Sequence, residues 1–514
     1  MAKISTETPK APELFGCVVL LVLATFLLFK QQLLAAYKRR TTSPSLPSPR
    51  GLPLIGNLHQ LGALPHAALA ALATEHKAPL MLLRLGSVRT LVVSTAGAAR
   101  AVFQPNDRAL SGRPKLCAAK TLSYDLQNIT FAPTDGPWRA ARRACVSELL
   151  GVPRVRGFRV AREGEAAALA AAIENASRSG SPVNLREKLV EASNKILRRV
   201  AFGDEGEQAI GGFRAKDVLE ETQGLAGAFF LADYMPWLGW LDTLRGLRRR
   251  LDQHFLQLDA FYEKIIDDHL NKRSVSKEED LVDVLLRLHE DPDHGHTFSR
   301  SRIKGILTDM FIAGTDTSAA TLEWTMTELI RHEDVLAKAQ HEVRSSVAGK
   351  DMVRESDLPR LQYLKLVIRE SLRLHPPIPL LVPRETTEPI TVSGCEIPAR
   401  TRVLVNAKAI GVDTEAWGPD AARFMPERHE GDGIDHGDHK PWQDSFALVP
   451  FGFGRRSCPG VQFATAVVEL LLANLLFCFD WRAPVREVDV EELGGMAVYR
   501  KKPLMLVAER RYYK

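Results

Sequence analysis

The ten residues Phe451-Gly-Phe-Gly-Arg-Arg-Ser-Cys458-Pro-Gly460, followed at once by the apolar helical run VQFATAVVELLLANLLF, constrain this chain more than any other stretch. A cysteine just before a helix has its sulfur near the free N-terminal amides and the positive end of the dipole. That placement favours a thiolate, the form that ligates iron. Gly452, Gly454 and Gly460 permit a tight loop and close backbone approach to a flat ligand, and Arg456 can meet an anionic group beside it. A buried structural cysteine in a glycine-rich turn is the plainer alternative. The other cysteines, Cys17, Cys117, Cys145, Cys395 and Cys478, stand singly with no C-x-x-C pair. Neither a disulfide scaffold nor a paired-ligand zinc site is expected, and the compartment reads as reducing.

The chain has 514 residues, 45% hydrophobic and 25% charged, an ordinary globular balance that excludes disordered and collagenous classes. Its net charge of +6 is spread thinly, without a basic tract interleaved with aromatics, so nucleic acid is not an expected partner. From Leu14 to Phe29 there is no charged residue. As a helix this stretch rises about 24 Å, and Leu14 to Ala36 about 35 Å against a hydrocarbon core of about 30 Å, so it spans a bilayer if Lys30 snorkels. A cleaved signal peptide and a buried helix are the alternatives. Lys38, Arg39 and Arg40 follow the stretch and predict that the bulk of the chain stays on the cytosolic side. Pro44, Pro47, Pro49 and Pro53 then make a stiff extended spacer. The expected organisation is a membrane anchor over 1–37, a basic, proline-rich hinge over 38–56 and a catalytic domain over 57–514.

Along the body, His66 to Glu75 reads as helix and Pro79 to Ser94 as two strands broken at Gly86. Helical periodicity then dominates through Trp138 to Leu150, Glu163 to Ser177, Leu185 to Ala201, Arg248 to Asn271, Asp280 to His289, Ser301 to Arg331 and Asp334 to Ala348. Strand signals return at Pro389 to Val392 and Arg402 to Asn406. The expected fold is mainly α with small marginal β-sheets, and no alternating βαβ series supports a nucleotide-binding domain.

With these features the chain resembles the haem-thiolate cytochrome P-450 monooxygenases over nearly its whole length after the anchor. The cysteine loop matches the family's pattern at every fixed position, which implies haem b as cofactor and Cys458 as the axial ligand of its iron. Such a thiolate pushes electron density toward the iron and favours O–O cleavage. The family's oxygen-activation motif falls on Ala313-Gly-Thr-Asp316-Thr317-Ser318, implying Thr317 and Asp316 as the catalytic hydroxyl and proton-relay acid. An Ala-Gly pair in mid-helix costs about 1 kcal/mol against two alanines, and room for bound O2 is a physical reason to keep it. Taken alone, Thr317 could equally bond its own helix and Asp316 sit in solvent.

Glu370 and Arg373 share a helical face. In the family they form a buried pair completed by an arginine, here Arg428, with a structural role. The following position departs from the pattern, with His429 where phenylalanine is customary. Trp138 and Arg142 match the family's Trp-x-x-x-Arg that meets a haem propionate, Arg384 matches another propionate partner, and Arg456 belongs to the same cofactor-binding set. Guanidinium forks suit two carboxylates. The segment His429 to His439 invites a metal reading through its histidines and acids, but its glycine and charge density favours a solvated insertion.

Substrate contacts are expected by region: Leu116 to Ile129, Met310 and Ala313, Ile378 to Val382, and Met496-Ala497. These are mostly apolar and suit a small lipophilic or aromatic molecule, with Asp125 the candidate partner of an amine. The run Phe229 to Leu241 is apolar enough to dip into a membrane, or to be a buried connection. The anchor, hinge and LPLIGNLHQLG opening look like the plant microsomal class of specialised metabolism. That class implies O2, membrane lipid, and electrons from NADPH through a flavoprotein reductase, with Arg139, Arg143 and Arg455 as part of the docking face. The implied location is the endoplasmic reticulum membrane, single-pass, with the catalytic domain in the cytosol. Hydroxylation of a terpenoid or of an indole or aromatic amine is the expected activity. A haem-thiolate dehydratase or isomerase, or a non-enzymatic haem carrier or sensor, are the competing readings.

Overall fold

Apolar residues recurring at three and four positions wind most of this chain into helices, and the computed structural model describes residues 46–511 apart from 179, 204–214, 273–278, 293–296 and 432–445. The expected anchor, the first part of the hinge and most of the segment after His429 lie outside the described residues. The architecture is mainly helical with small sheets at its margins. Pro65–Glu75, Arg159–Ser177, Leu185–Phe202, Leu247–Lys272, Leu281–Glu290 and Glu333–Ser346 fall where the periodicity places them.

Leu80–Leu85 and Val88–Val93 form an antiparallel hairpin, Arg402–Val405 joins it in parallel, and Arg384–Glu385 closes the far edge. This sheet carries Arg384 toward the centre of the molecule. A second sheet, of Val183–Asn184, Met505–Arg510 and Phe479–Arg482, was not expected from sequence, because its strands are short or follow directly on a helix.

Two helices depart from their expected form. The stretch Trp138 to Leu150 is α-helical only over Gly136–Ala144, started by Asp135 accepting from the Trp138 amide at 2.8 Å and by Pro137 in the first turn; Cys145–Leu149 then widens into a π-helical turn. The long helix from Ser301 to Arg331 is interrupted at Thr315, giving Arg300–Gly314 and Asp316–Arg331. Gly314 weakens the ladder there, and the hydroxyls of Thr317 and Thr321 bond the carbonyls of Ala313 and Thr317, at 2.6 and 2.7 Å.

Val461–Cys478 is, among the described residues, the one helix long and apolar enough to cross a membrane. Its second half is buried almost without a break from Val467 to Cys478, packed in the main helical core. It is therefore the core helix behind the cysteine loop.

Candidate active site

Cys458 is held by its own loop. Its amide donates to the Phe451 carbonyl at 2.8 Å, and its sulfur accepts from the Gly460 amide at 3.4 Å. Gly454 has φ of 62°, the left-handed region that favours glycine, and a Cβ there would displace the Asp107 carboxylate, whose Oδ1 lies 2.2 Å from its position. The dipole argument alone predicts an easily ionised thiol. Burial outweighs it and pushes the thiol up, while the Gly460 amide and Arg142 pull the other way. Metal coordination deprotonates such a thiol outright.

The sulfur lines a cavity of about 270 Å³ whose wall includes Ile129, Met310, Ala313, Ile378, Leu381 and Val382. Gly314, Thr317 and Ser318 line it from the interrupted helix. A Cβ on Gly314 would meet Leu197 Cδ2 at 3.0 Å, so close packing of the neighbouring helix Leu185–Phe202 also favours glycine here, beyond the room for O2 argued from sequence.

Arg142, Arg384 and Arg456 converge on the same cavity, joined by Arg113, which the sequence reading did not single out. Arg142 donates to the Ser457 carbonyl at 2.6 Å, Arg384 to the Phe453 carbonyl at 2.6 Å, Arg456 to the Ser111 and Ile129 carbonyls at 2.9 and 3.0 Å, and Arg113 to the Thr130 and Pro383 carbonyls at 3.0 and 2.8 Å. Loop carbonyls thus aim the guanidiniums without neutralising them. Burial, then repulsion from Arg384 and Arg142, lowers Arg456 to about 9; burial, with Arg142 and only partly relieved by Asp107, lowers Arg384 to about 10. Arg113 is lowered well below its ordinary value by burial, Arg384 and Arg456. Buried Nη1 of Arg384 has no hydrogen-bond partner, and the nearest carboxylate, Asp107, is 3.9 Å away. An orphaned guanidinium nitrogen, mutually repelling buried cations and a recessed sulfur fit a flat ligand with two carboxylates and a metal at its centre, as haem has.

Several expected placements need correction. Trp138 does not line the cavity: its indole N–H donates to the Ile129 carbonyl at 2.9 Å, and its ring lies 4.4 and 5.7 Å from the Arg456 and Arg142 guanidinium carbons. It stands behind the arginines as their platform. Asp125 is exposed beside Lys120, at 3.6 Å, and Met496-Ala497 is likewise absent from the lining. The carboxylate that does line the cavity is Asp309, accepting from Asn128 Nδ2 at 2.6 Å and from the Ile129 and Thr130 amides at 2.7 and 3.0 Å. Burial pushes it up to about 6 despite these hydrogen bonds. Its position four residues before Ala313, one helical turn, is a signal that could have found it. Asp316 turns away from the lining toward Tyr499.

Glu370 and Arg373 are fully buried and joined by two hydrogen bonds of 2.7 and 2.8 Å, with Arg428 completing the set at 2.8 Å. His429 is no part of a solvated insertion: it is buried against the same carboxylate, because Pro426–His429 winds as a 3₁₀ turn beneath Gln362–Leu374.

The family model for Cytochrome P450 matches residues 46–508. Strychnine-11-hydroxylase of Strychnos nux-vomica is 44% identical over 505 residues, covering 96% of each chain. Tryptamine 5-hydroxylase of Oryza sativa subsp. japonica is 41% identical over 505 residues, covering 95% of each. Among solved structures, a zebra fish cytochrome P450 with abiraterone superposes with a TM-score of 0.71 at 24% identity, covering 87% of this chain and 100% of that one, which speaks to the fold. A match running almost from the first described residue to the last, on a pocket built around a sulfur and a cluster of arginines, shows that the chain belongs to the cytochrome P450 family and is a monooxygenase with haem b as its cofactor.

Proposed function

We propose that this chain hydroxylates a small lipophilic aromatic metabolite in the cavity above Cys458, with O2 and electrons from NADPH delivered by a membrane-bound flavoprotein reductase. The observation that carries this reading is the single cavity whose floor holds the Cys458 sulfur and whose wall holds Thr317 among apolar side chains. Of the terpenoid and the indole or aromatic-amine classes, the second is favoured, since two relatives are named for strychnine and tryptamine.

Haem, when bound, supplies the iron chemistry that activates O2. Cys458 would ligate its iron. Arg113, Arg142, Arg384 and Arg456 would hold the two propionates, with Trp138 orienting Arg142 and Arg456. Thr317 presents its oxygen to the reacting centre while its proton rests on the Ala313 carbonyl, and Asp316 is the acid that resupplies protons. The apolar wall excludes water and positions the carbon to be oxidised. Glu370, Arg373 and Arg428 hold the proximal side in register. An anchor over 1–37 and a hinge over 38–56 tether the catalytic domain, 57–514, to the cytosolic face of the endoplasmic reticulum, and the exposed Arg139, Arg143 and Arg455 belong to the reductase face.

The test is full-length protein with a plant NADPH reductase, screened against indoles, aromatic amines and terpenoids for spin-state shifts and then for products. Hydroxylated product that requires both NADPH and O2 is expected. Turnover without either reagent refutes the assignment. Cys458→Ala should lose the carbon monoxide difference spectrum, and an unchanged spectrum removes Cys458 as ligand.

A further inference from the structure

Asp316 opens the second part of the interrupted helix, yet its carboxyl is absent from the cavity wall that Thr317 and Ser318 line. It faces the C-terminal hairpin of Glu492–Leu493 and Tyr499–Arg500, where the Tyr499 hydroxyl donates to Asp316 Oδ1 and reaches its backbone oxygen, both at 3.1 Å. Among the described residues no other hydrogen bond reaches that carboxyl. The tyrosine is itself fixed from behind. The Arg186 guanidinium lies 5.0 Å over its ring, and its Nε donates to both oxygens of buried Glu323, at 2.9 and 3.1 Å. A phenol held this firmly selects one orientation of the acid it touches.

We propose that Tyr499 is a positioning residue for proton delivery: its hydroxyl, held by the C-terminal hairpin, sets the orientation of the Asp316 carboxyl and so its readiness to pass a proton toward Thr317. The proposal rests on the reading of Asp316 and Thr317 as the proton relay. The charged and titratable groups around the carboxyl are Tyr499 on the hairpin and Glu220 on Ala215–Ala226, with Arg186 on Leu185–Phe202 and Glu323 on the acid's own helix acting on the phenol. Burial raises Asp316 first, Tyr499 lowers it by hydrogen bonding to the ionised form, and Glu220 raises it again. In Asp316 the phenol is thus the one attached group that favours the charged state.

The experiment is Tyr499→Phe in the full-length holoprotein, a change that keeps the ring under Arg186 and removes one hydroxyl. An infrared pH titration follows the protonated carboxyl band that Asp316→Asn abolishes. Loss of a donor to a charged acceptor is expected to strengthen proton binding by about tenfold, read as an upward shift of the midpoint. The pH profile of product formed per NADPH should move in the same direction. An unmoved midpoint in Tyr499→Phe overturns the proposal. The underlying relay reading fails separately, and visibly, if Asp316→Asn leaves product per NADPH unchanged.

Discussion

His429 places its Nε2 atom 2.8 Å from Oε2 of Glu370, with both side chains fully out of solvent. The same carboxylate accepts from Arg373, from Arg428 and from the Met425 amide, so five donor contacts surround one buried anion. Burial alone would raise Glu370; Arg373 and His429 overcome it and hold the group at about 2. An ionised carboxylate only accepts, which assigns the ring proton of His429 to Nε2. The imidazole thus does a donor's work at a position where phenylalanine is customary.

His429→Phe removes one hydrogen bond to a charged acceptor and should lower stability by about 1.5–3 kcal/mol. It should also flatten the acid limb. Burial holds His429 below its ordinary value, ahead of the opposing pull of Glu370, so the unfolded chain takes up this proton first as pH falls. The residue's contribution is therefore full above the unfolded value of about 6.5 and is lost as pH drops through the folded one. Thermal midpoints of the holoprotein and variant between pH 7.5 and about 5 check this. Parallel curves would mean that the imidazole does not titrate differently in the folded state.

Arg384 leads to an expectation of opposite signs for two forms of the protein. Without the cofactor its charge is buried among Arg113, Arg142 and Arg456 with one nitrogen unbonded. Arg384→Gln relieves repulsion, so the haem-free protein should be no less stable and should gain at low salt. On the proposed propionate role the same change also removes a charged hydrogen bond of about 1.5–3 kcal/mol, so haem affinity should fall roughly 10- to 100-fold. Haem transfer to an acceptor protein measures the second effect and thermal melting of the apoprotein the first. Loss of stability in both forms would place Arg384 among ordinary structural arginines.

Asp309 ties the cavity to the cofactor cluster through one short segment. Its carboxylate takes the Ile129 and Thr130 amides, while the carbonyls of the same residues accept from Trp138, Arg456 and Arg113. Asp309→Ala should release this segment and cost on the order of 3 kcal/mol, seen as faster hydrogen exchange over residues 128–132 and weaker substrate-induced spin shifts. The acid is raised to about 6, above its unfolded value, so its buried charge costs stability above that pH, and protonation relieves the cost as pH falls toward about 3.8. Loss of the ionised acceptor also loosens the two amides. Exchange at 128–132, corrected for intrinsic rate, should therefore quicken below pH 6 in the native protein and not in Asp309→Asn. Equal pH response in both proteins removes Asp309 as the tie.

How far the sequence could be read follows from the kind of signal each residue leaves. Cys458, Thr317, Glu370 and Arg373 sit in short local patterns, and helical spacing already put Trp138 and Arg142 on one face. Contacts made across hundreds of positions leave no such trace. Arg113 meets Val382 and Pro383 only because the sheet carrying Arg384 folds back beside residues 111–132. Tyr499 finds Asp316 across a separation of 183 residues. That Asp125 stands out in sequence while Asp309 does not has the same origin, since exposure is decided by packing that one-dimensional spacing does not contain. His429 looks solvated from its neighbours in sequence, glycine and acid, whereas its neighbours in space are Glu370 and Trp417.

The exposed aromatic ridge makes a membrane contact independent of residues 1–37 a testable expectation. Phe229, Trp237, Trp240 and Leu244 are exposed on one short stretch, Trp237 at 50% and Trp240 at 58%. The Ser87 amide and hydroxyl both donate to the Tyr234 carbonyl at 2.8 and 2.9 Å, and the neighbouring Gly86 amide donates to the Ile55 carbonyl at 3.0 Å. That turn ties the stretch to the segment that carries exposed Leu52 and Leu54, so two apolar segments far apart in sequence are held through one turn. Tryptophans on such a surface suit the headgroup region of a bilayer. A chain lacking residues 1–37 should therefore still bind liposomes. Replacing Trp237 and Trp240 together by glutamate should remove about 3 kcal/mol or more of apolar burial and weaken liposome partitioning roughly a hundredfold, with the haem spectrum intact. Unaltered partitioning, measured by flotation with the double variant, would leave the ridge as a connection between helices and nothing more.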